Sequence, residues 1–475
     1  MPAGIRDSVV VIGAGPAGLA AAWELVRLGL HPVVVEAGSR VGGIARTEVY
    51  KGYRFDVGGH RFFTQNEEVQ QLWEEMLGAE FLTVPRLSRI YYRGRFYSYP
   101  LELGNALCNL GPLESVRVGL SYVWAKLFPT RPEATFEHWV TNRFGTRLYH
   151  AFFGPYTEKV WGIPGSAIGA DWAAQRIRGL SLRTTVLNAV LGSSTARSLI
   201  REFQYPRLGP GMMWERFAAM VEAHGGEVRM GTEAVAVRRV EGDRWEVVCR
   251  EGGRESILHG GHVISSMPLP TLLARLEPAP PAAVAAAAER LRHRAMLVVG
   301  LMVRRAELFP DNWIYVHSPD VSVGRIQNFR NWSRDLVPDP ETSSLGLEYF
   351  CSEDDALWRL ADADLIDLAG RELTMLGLAN ASEVVDGAVI RQPKAYPVYD
   401  GEYKAHLAVI QEYFATVSGL QTIGRNGLHR YNNQDHSMLT GIFAARNLCG
   451  GRHDLWNVNT EASYHEERLA PEQFE

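Results

Sequence analysis

Residues 8–60 admit few folds. The run Ser-Val-Val-Val-Ile at 8–12 is apolar without polar alternation, the pattern of a parallel strand buried on both faces. Gly13-Ala14-Gly15-Pro16-Ala17-Gly18 follows at once. The next residues, Leu19 to Leu28, are helix formers and end at Gly29. A second apolar run, Pro-Val-Val-Val at 32–35, ends at Glu36 and Ala37. The order is strand, glycine turn, helix, strand, acid. Gly13 makes the tight turn, Gly15 lets backbone approach a pyrophosphate, and Gly18 lets helix and strand pack closely. The N–H groups of the first helical turn, around Ala17, favour an anion. Glu36 stands where a ribose hydroxyl needs an acceptor. The stretch reads as a dinucleotide-binding unit.

Two more glycine pairs narrow the ligand. Arg40-Val41-Gly42-Gly43-Ile44-Ala45 follows the acid, and Asp56-Val57-Gly58-Gly59-His60 follows a short β-like run. In two-domain flavoproteins resembling glutathione reductase or amine oxidase, the first pair lines the ribityl and pyrophosphate channel. The second brings backbone near the isoalloxazine. FAD is therefore the expected cofactor. Near the far end, a buried strand at 420–425 runs into Gly424 and Arg425. A polar segment with Asn433, Gln434 and Ser437 comes next, and a helix is expected at 438–448. That helix start suits the ribityl end. Val235, on a strand expected at 234–240, completes the expected cofactor contacts.

The remaining chain sets the organisation. Its 475 residues suffice for two or three domains. Apolar residues make up 46% and charged ones 22%, and the net charge is −5, which gives no case for a nucleic-acid or membrane partner. The region 280–303 is too charged to span a bilayer. No apolar signal core precedes the first strand. Cys108, Cys249, Cys351 and Cys449 are scattered, so reduced thiols, a cytoplasmic location and no metal site are expected.

A helix is expected at Glu67–Leu77 and a hairpin at 89–99 with Gly94 in its turn. Helices at Phe136–Phe144, 148–153 and 173–177 suggest an inserted helical domain over 101–205. A helix at 211–225 and strands near 227–230, 234–240, 245–250 and 256–262 form a middle part of the cofactor domain, 206–267. A buried strand at 262–266 rejoins the nucleotide domain. The proline-rich stretch 268–281 opens a substrate domain, 268–404, with strands near 297–303, 313–317, 325–329 and 345–350. Residues 405–475 return to the cofactor domain. The fold class is α/β. A Rossmann-type FAD domain over 1–100, 206–267 and 405–475 carries a helical insertion and a sheet-based substrate domain.

With these motifs placed, the chain resembles the UDP-galactopyranose mutase family over most of its length. The matching segments are Asp56-Val-Gly-Gly-His60; Phe152-Phe-Gly-Pro-Tyr156-Thr157-Glu-Lys-Val-Trp161; Trp313-Ile-Tyr315 with Arg325-Ile-Gln-Asn-Phe-Arg-Asn-Trp; and Ala395-Tyr396-Pro397. Most specific is Gly424-Arg425-Asn-Gly-Leu-His-Arg-Tyr431-Asn-Asn-Gln434-Asp-His-Ser437. The resemblance implies that reduced FAD attacks the anomeric carbon of a nucleotide sugar through N5. The nucleoside diphosphate leaves, and the ring recloses as a furanose without net oxidation. NAD(P)H or another reductant is implied, and the oligomeric state stays open. It further implies that Arg325 and Arg425 grip the diphosphate, as a guanidinium fork matches phosphate. Tyr396, Tyr431 and Tyr99 would add hydroxyls. Tyr156, Trp161, Trp313 and Tyr315 would wall the nucleotide and sugar, and His60 would sit on the flavin.

At the positions where the family reads uracil with amides, this chain carries Glu102, Thr157 and Ser181, so the base is left open. The rival reading is an FAD oxidoreductase of the amine oxidase, protoporphyrinogen oxidase or carotenoid desaturase kind. Such enzymes bury apolar substrates and need no convergent arginines.

Overall fold

The computed structural model describes residues 8–99, 101, 103–170, 201–241 and 244–459. Strands Val9–Ile12, Pro32–Val35, Glu227–Arg229, His262–Ser265 and Leu420–Thr422 form one parallel sheet, in the order Leu420–Thr422, His262–Ser265, Val9–Ile12, Pro32–Val35, Glu227–Arg229. Burial on both faces explains the unbroken apolar runs. Helices Pro16–Arg27, Gly211–Ala223 and Gln434–Leu448 share one apolar core with this sheet. Strands from three separated parts of the chain thus build the nucleotide domain, as expected of a discontinuous α/β fold.

The substrate sheet has seven strands, ordered Val384–Pro397, His293–Val303, Ser343–Cys351, Arg325–Asn328, Trp313–Val316, Ser88–Tyr92 and Arg95–Ser98. All neighbours are antiparallel except Trp313–Val316 with Ser88–Tyr92. Two expected boundaries shift. The hairpin around Gly94, counted with the first cofactor segment, extends the substrate sheet. Leu276–Glu277, counted with the substrate domain, pairs with Val237 and Arg238 of strand Glu233–Val240. The proline-rich stretch also holds a short helix, Leu269–Ala274. Pro268 and Pro270 sit at or before its first turn, where no N–H is needed. The expected helix at 173–177 lies outside the described residues. No described helix is long and apolar enough to cross a membrane.

Asp56 anchors the turn that ends at His60. It is buried, and its carboxylate accepts from Thr47 Oγ1 at 2.8 Å and from the Tyr205 hydroxyl. Thr47 Oγ1 in turn accepts from the Gly211 amide at 3.0 Å. Burial pushes the Asp56 pKa up to about 7, against the pull of both hydroxyls. A raised carboxyl pKa means the folded state holds a proton that the unfolded chain has lost. This group's contribution to stability therefore falls as pH rises from the ordinary carboxylate range to about 7. Urea unfolding at pH 5 and pH 8 checks this. Asp56→Asn should rank better against wild type at pH 8 than at pH 5.

Candidate functional site

The Gly13–Gly18 turn is built as its sequence dictates. A Cβ on Gly18 would lie 1.8 Å from the Gly13 carbonyl oxygen, so helix and strand touch there. A Cβ on Gly15 meets nothing nearer than Gly43 Cα at 3.7 Å. The Gly15 backbone thus packs against the second glycine motif with no side chain on either, which keeps both backbones open to a pyrophosphate. The Gly42 amide donates to the Ala14 carbonyl at 2.8 Å, which fixes the second motif against the first. Glu36 accepts from the Ala14 and Gly38 amides at 2.9 and 2.8 Å. It braces the turn, and a carboxylate so held keeps lone pairs for a ribose hydroxyl.

Ile44 and Ala45 lie in the 3-10 turn Gly43–Ala45, and Arg46 donates to the Gly43 carbonyl at 2.9 Å. Ala37 and Arg40 are exposed beyond the acid, and Arg40 pairs with Glu48 at 3.3 Å. Val235 sits at a bulge of Glu233–Val240, three residues after Thr232, whose amide donates to the Glu36 carbonyl at 2.8 Å. At the chain's far end, Gly424 adopts φ +80, and a Cβ there would meet Ala17 Cβ at 2.9 Å.

The final helix starts at Gln434, four residues before the expected Met438. Asn433 caps it through the His436 amide, and Gln434 and Ser437 lie in its first turn. All four residues from Gln434 to Ser437 are buried, and Gln434 Oε1 has no hydrogen-bond partner among the described residues. The dinucleotide turn, both later glycine pairs and this polar turn together fit FAD.

The second glycine pair joins the cofactor segment to the substrate sheet. A Cβ on Gly58 would stand 3.8 Å from Arg325 Nη2 and 3.8 Å from His60 Cε1. A Cβ on Gly59 would lie 2.7 Å from Gln327 Nε2. His60 Nδ1 is 3.2 Å from the Gly58 carbonyl oxygen. Burial first, then the charges of Arg425, Arg325 and Arg46, lower the His60 pKa to about 3. The imidazole is neutral across physiological pH.

Arg325 and Arg425 approach the same tyrosine. Arg325 Nη2 lies 3.4 Å from the Tyr396 hydroxyl, and the Arg425 guanidinium lies 5.6 Å from the Tyr396 ring centre. Tyr396 and Tyr431 stack at 5.6 Å, and Arg425 sits 4.4 Å over the Tyr431 ring. Trp161 closes this cluster at 6.1 Å from Tyr396 and 6.4 Å from Tyr431. Arg425 is aimed by two carbonyls, accepting from it at Asn432 (3.0 Å) and Ala395 (3.2 Å).

Arg325 is held differently. Its Nε donates to both oxygens of Glu348 at 2.9 Å, and its Nη2 also pairs with that carboxylate. Glu348 is fully buried and takes a further bond from Gln327 Nε2 at 2.7 Å. Burial opposes the Arg325 charge, but the adjacent Glu348 holds its pKa well above the ordinary value. One edge of the fork is therefore committed to the protein.

A second aromatic group adjoins this cluster. Tyr99 and Tyr315 lie 4.6 Å apart, and Tyr156 meets Tyr315 edge-on at 5.7 Å. Tyr156 also stacks on His317 at 4.5 Å. Trp313 is buried against Trp332 at 5.4 Å, so it backs Tyr315 rather than walling this cluster. Thr157 is buried on helix Gly154–Trp161. Glu102 and Ser181 lie outside the described residues.

Several residues here escaped sequence reasoning. Lys159 donates to the Val316, Ser318 and Val323 carbonyls at 3.3, 2.6 and 3.1 Å. Burial pushes its pKa down to about 8. It ties the Tyr156 helix to the turn between strands Trp313–Val316 and Arg325–Asn328. Arg61 and Arg86 stand 5.7 and 5.5 Å over Trp313 and add positive charge near Tyr99. Glu348 could have been found, because a lone glutamate inside a buried strand demands a cation.

Known proteins extend this picture. Coproporphyrinogen III oxidase of Mycobacterium leprae (strain TN) is 26% identical over 325 residues, 64% of this chain and 69% of that protein. Putrescine oxidase of Kocuria rosea is 30% identical over 152 residues, 29% of this chain and 31% of that one. A crystal structure of reduced UDP-galactopyranose mutase superposes with a TM-score of 0.83 at 22% identity, covering 96% of both chains. A putative protoporphyrinogen oxidase from Exiguobacterium sp. 255-15 superposes at 0.71 and 18% identity, covering 93% of this chain and 98% of that one. These likenesses establish the fold. Residues 16–406 match the model of the flavin containing amine oxidoreductases. A match over that span, with the dinucleotide turn at its start, makes this chain a member of the flavin-containing amine oxidoreductase family.

Proposed function

We propose that this flavoprotein is an isomerase that interconverts pyranose and furanose forms of a nucleotide sugar. The observation that carries the reading is the convergence of Arg325 and Arg425 on the Tyr396–Tyr431 stack, beside the Gly58–His60 turn. Two fixed guanidiniums suit a diphosphate before and after its bond to the sugar breaks. Bound flavin, once reduced, supplies a nucleophilic N5, and the chemistry returns it unchanged. The protein's part is orientation and charge. Arg425 and the free edge of Arg325 take the diphosphate oxygens. The Tyr396 and Tyr431 hydroxyls donate to them, and burial keeps Tyr396 protonated by raising its pKa. Trp161 keeps water from the sugar side, and Tyr156 and Tyr315 hold the nucleoside. Neutral His60 offers the flavin a hydrogen-bonding contact without a second positive charge.

The oxidase relatives favour a second reading, oxidation of an amine or porphyrinogen. The site opposes a cationic amine, because two arginines already occupy the faces and edge of the tyrosine pair.

The test is to incubate dithionite-reduced protein with a panel of nucleotide sugars. The expected product has unchanged mass, with no reductant consumed per turnover. A product two mass units lighter, with oxygen consumed in step, would establish the oxidase instead. Arg425→Lys should weaken nucleoside diphosphate binding about tenfold to a hundredfold, because lysine is a point charge without the fork. Flavin content should stay at the wild-type level, and calorimetric titration of the diphosphate reads the loss.

A further inference from the structure

Helix Pro112–Leu127 leaves one face uncovered by any described element. Val118 and Ala125 point inward and are 4% and 8% exposed. On the opposite side Leu113, Val116, Leu120, Val123, Trp124 and Leu127 are 54–67% exposed. Phe128 extends the stripe, 4.5 Å from Trp124 and 62% exposed. Together these side chains expose roughly 900 Å² of apolar surface, whereas the largest patch on an ordinary monomer is about 300–600 Å². That area matches the roughly 800 Å² that each partner of a standard protein interface buries.

The spacing says what covers it. Apolar residues recur every three or four positions, the seam on which another helix packs. Five of its residues are symmetric about Leu120, while Val123 and Phe128 stand level with the copy's Arg117 and Pro112. Turning a second copy end for end sets Leu113 level with the copy's Leu127, Val116 with its Trp124, and Leu120 with itself. A two-fold axis through an antiparallel helix pair has this property, and such an interface closes on itself.

The charges beside the seam are mixed and already engaged. Glu114 pairs with Arg117 at 3.3 Å and Arg147 at 3.2 Å, and Lys126 donates to the Asn142 carbonyl at 3.0 Å. We propose that two copies of this chain pair through the Leu113–Leu120–Leu127 seam, with their Pro112–Leu127 helices antiparallel.

The experiment measures the mass of the flavin-loaded protein by sedimentation from low to high micromolar concentration. Wild type should run as a dimer. Leu120→Glu sets two glutamates against each other at the axis and should raise the dimer dissociation constant on the order of a hundredfold or more. Flavin content should be unchanged, since the side chain is exposed in the monomer. Leu120→Cys, in a background with Cys108 and Cys449 changed to serine, should crosslink to a dimer under mild oxidation. A dimer indifferent to Leu120→Glu overturns the proposal. So does a monomeric wild type, whether the face then binds anionic vesicles, another protein or a further segment of this chain.

Discussion

Replacing Gly15 with valine is expected to give a folded, colourless protein, whereas replacing Gly18 with alanine should give little folded protein at all. The two glycines stand three residues apart in one motif, and their surroundings differ in kind. Gly15 has φ −83 and ψ −176, a conformation open to any residue. The nearest atom to an added Cβ is Gly43 Cα at 3.7 Å. An added Cβ makes only ordinary van der Waals contact with protein, so the larger cost of a side chain there falls on the pyrophosphate. At Gly18 the added carbon would overlap the Gly13 carbonyl oxygen at 1.8 Å. Helix Pro16–Arg27 would have to leave the strand it follows. The same helix is clamped from its other side, because a Cβ on Gly441 would lie 2.1 Å from the Ala17 carbonyl oxygen.

The expected loss for Gly18→Ala is therefore on the order of 4–5 kcal/mol or more, against total stabilities of about 5–15 kcal/mol. For Gly15→Val the fair reference is flavin-free wild type, since ligand loss itself lowers the melting temperature. Thermal unfolding and the visible flavin absorbance of both variants decide the matter. A yellow Gly15→Val protein would remove the pyrophosphate from this turn.

The second large effect lies at Arg325, where charge and fold are entangled. Arg325→Ala strands the fully buried Glu348 carboxylate, and breaking a buried pair in this way costs about 3–5 kcal/mol. Lost binding in that variant would prove nothing about a diphosphate. Arg325→Met combined with Glu348→Gln removes both charges, and Gln327 keeps an amide partner. The double variant should unfold near wild type, while affinity for a nucleoside diphosphate stays down by about tenfold to a hundredfold. The single and double variants should be strongly non-additive in stability. Denaturant unfolding and calorimetric titration, run on the same preparations, separate the two roles. Full affinity in the stable double variant would end the diphosphate role for Arg325.

The contrast between these two sites also shows what the sequence made legible. The Gly13–Gly18 turn could be read because its logic is local. Strand, turn, helix and acid follow within a few dozen residues, and each glycine has one steric reason. Glu348 was missed because its partner is set by register. Arg325 stands opposite Glu348 across two antiparallel strands, and neither strand alone announces which residues will face. The long strand Val384–Pro397 was hidden by Gly387 and Pro393, and by a register shift where it meets Met296. Tyr396 was found through its motif, without the strand that carries it. The last helix read four residues short because its first turn is polar. Gln434, Asp435, His436 and Ser437 are buried in a cofactor domain, where hydrophobic periodicity does not operate.

The five-stranded parallel sheet has a consequence for the newly made chain. Val9–Ile12 leaves the ribosome well before its neighbour His262–Ser265, which itself needs Leu420–Thr422 as an outer partner. Gly424 and the clamp at Gly441 come later still. Until then the nascent chain carries the glycine turn without the far segment that packs beside it. Pairings over such sequence distances form slowly, and unpaired strand edges stay exposed meanwhile. The helices of 103–161 can consolidate early, whereas the substrate sheet waits for Val384–Pro397. The two sides of the cofactor site are joined only once the segment around Gly441 has been made, so firm capture of the cofactor waits on that segment.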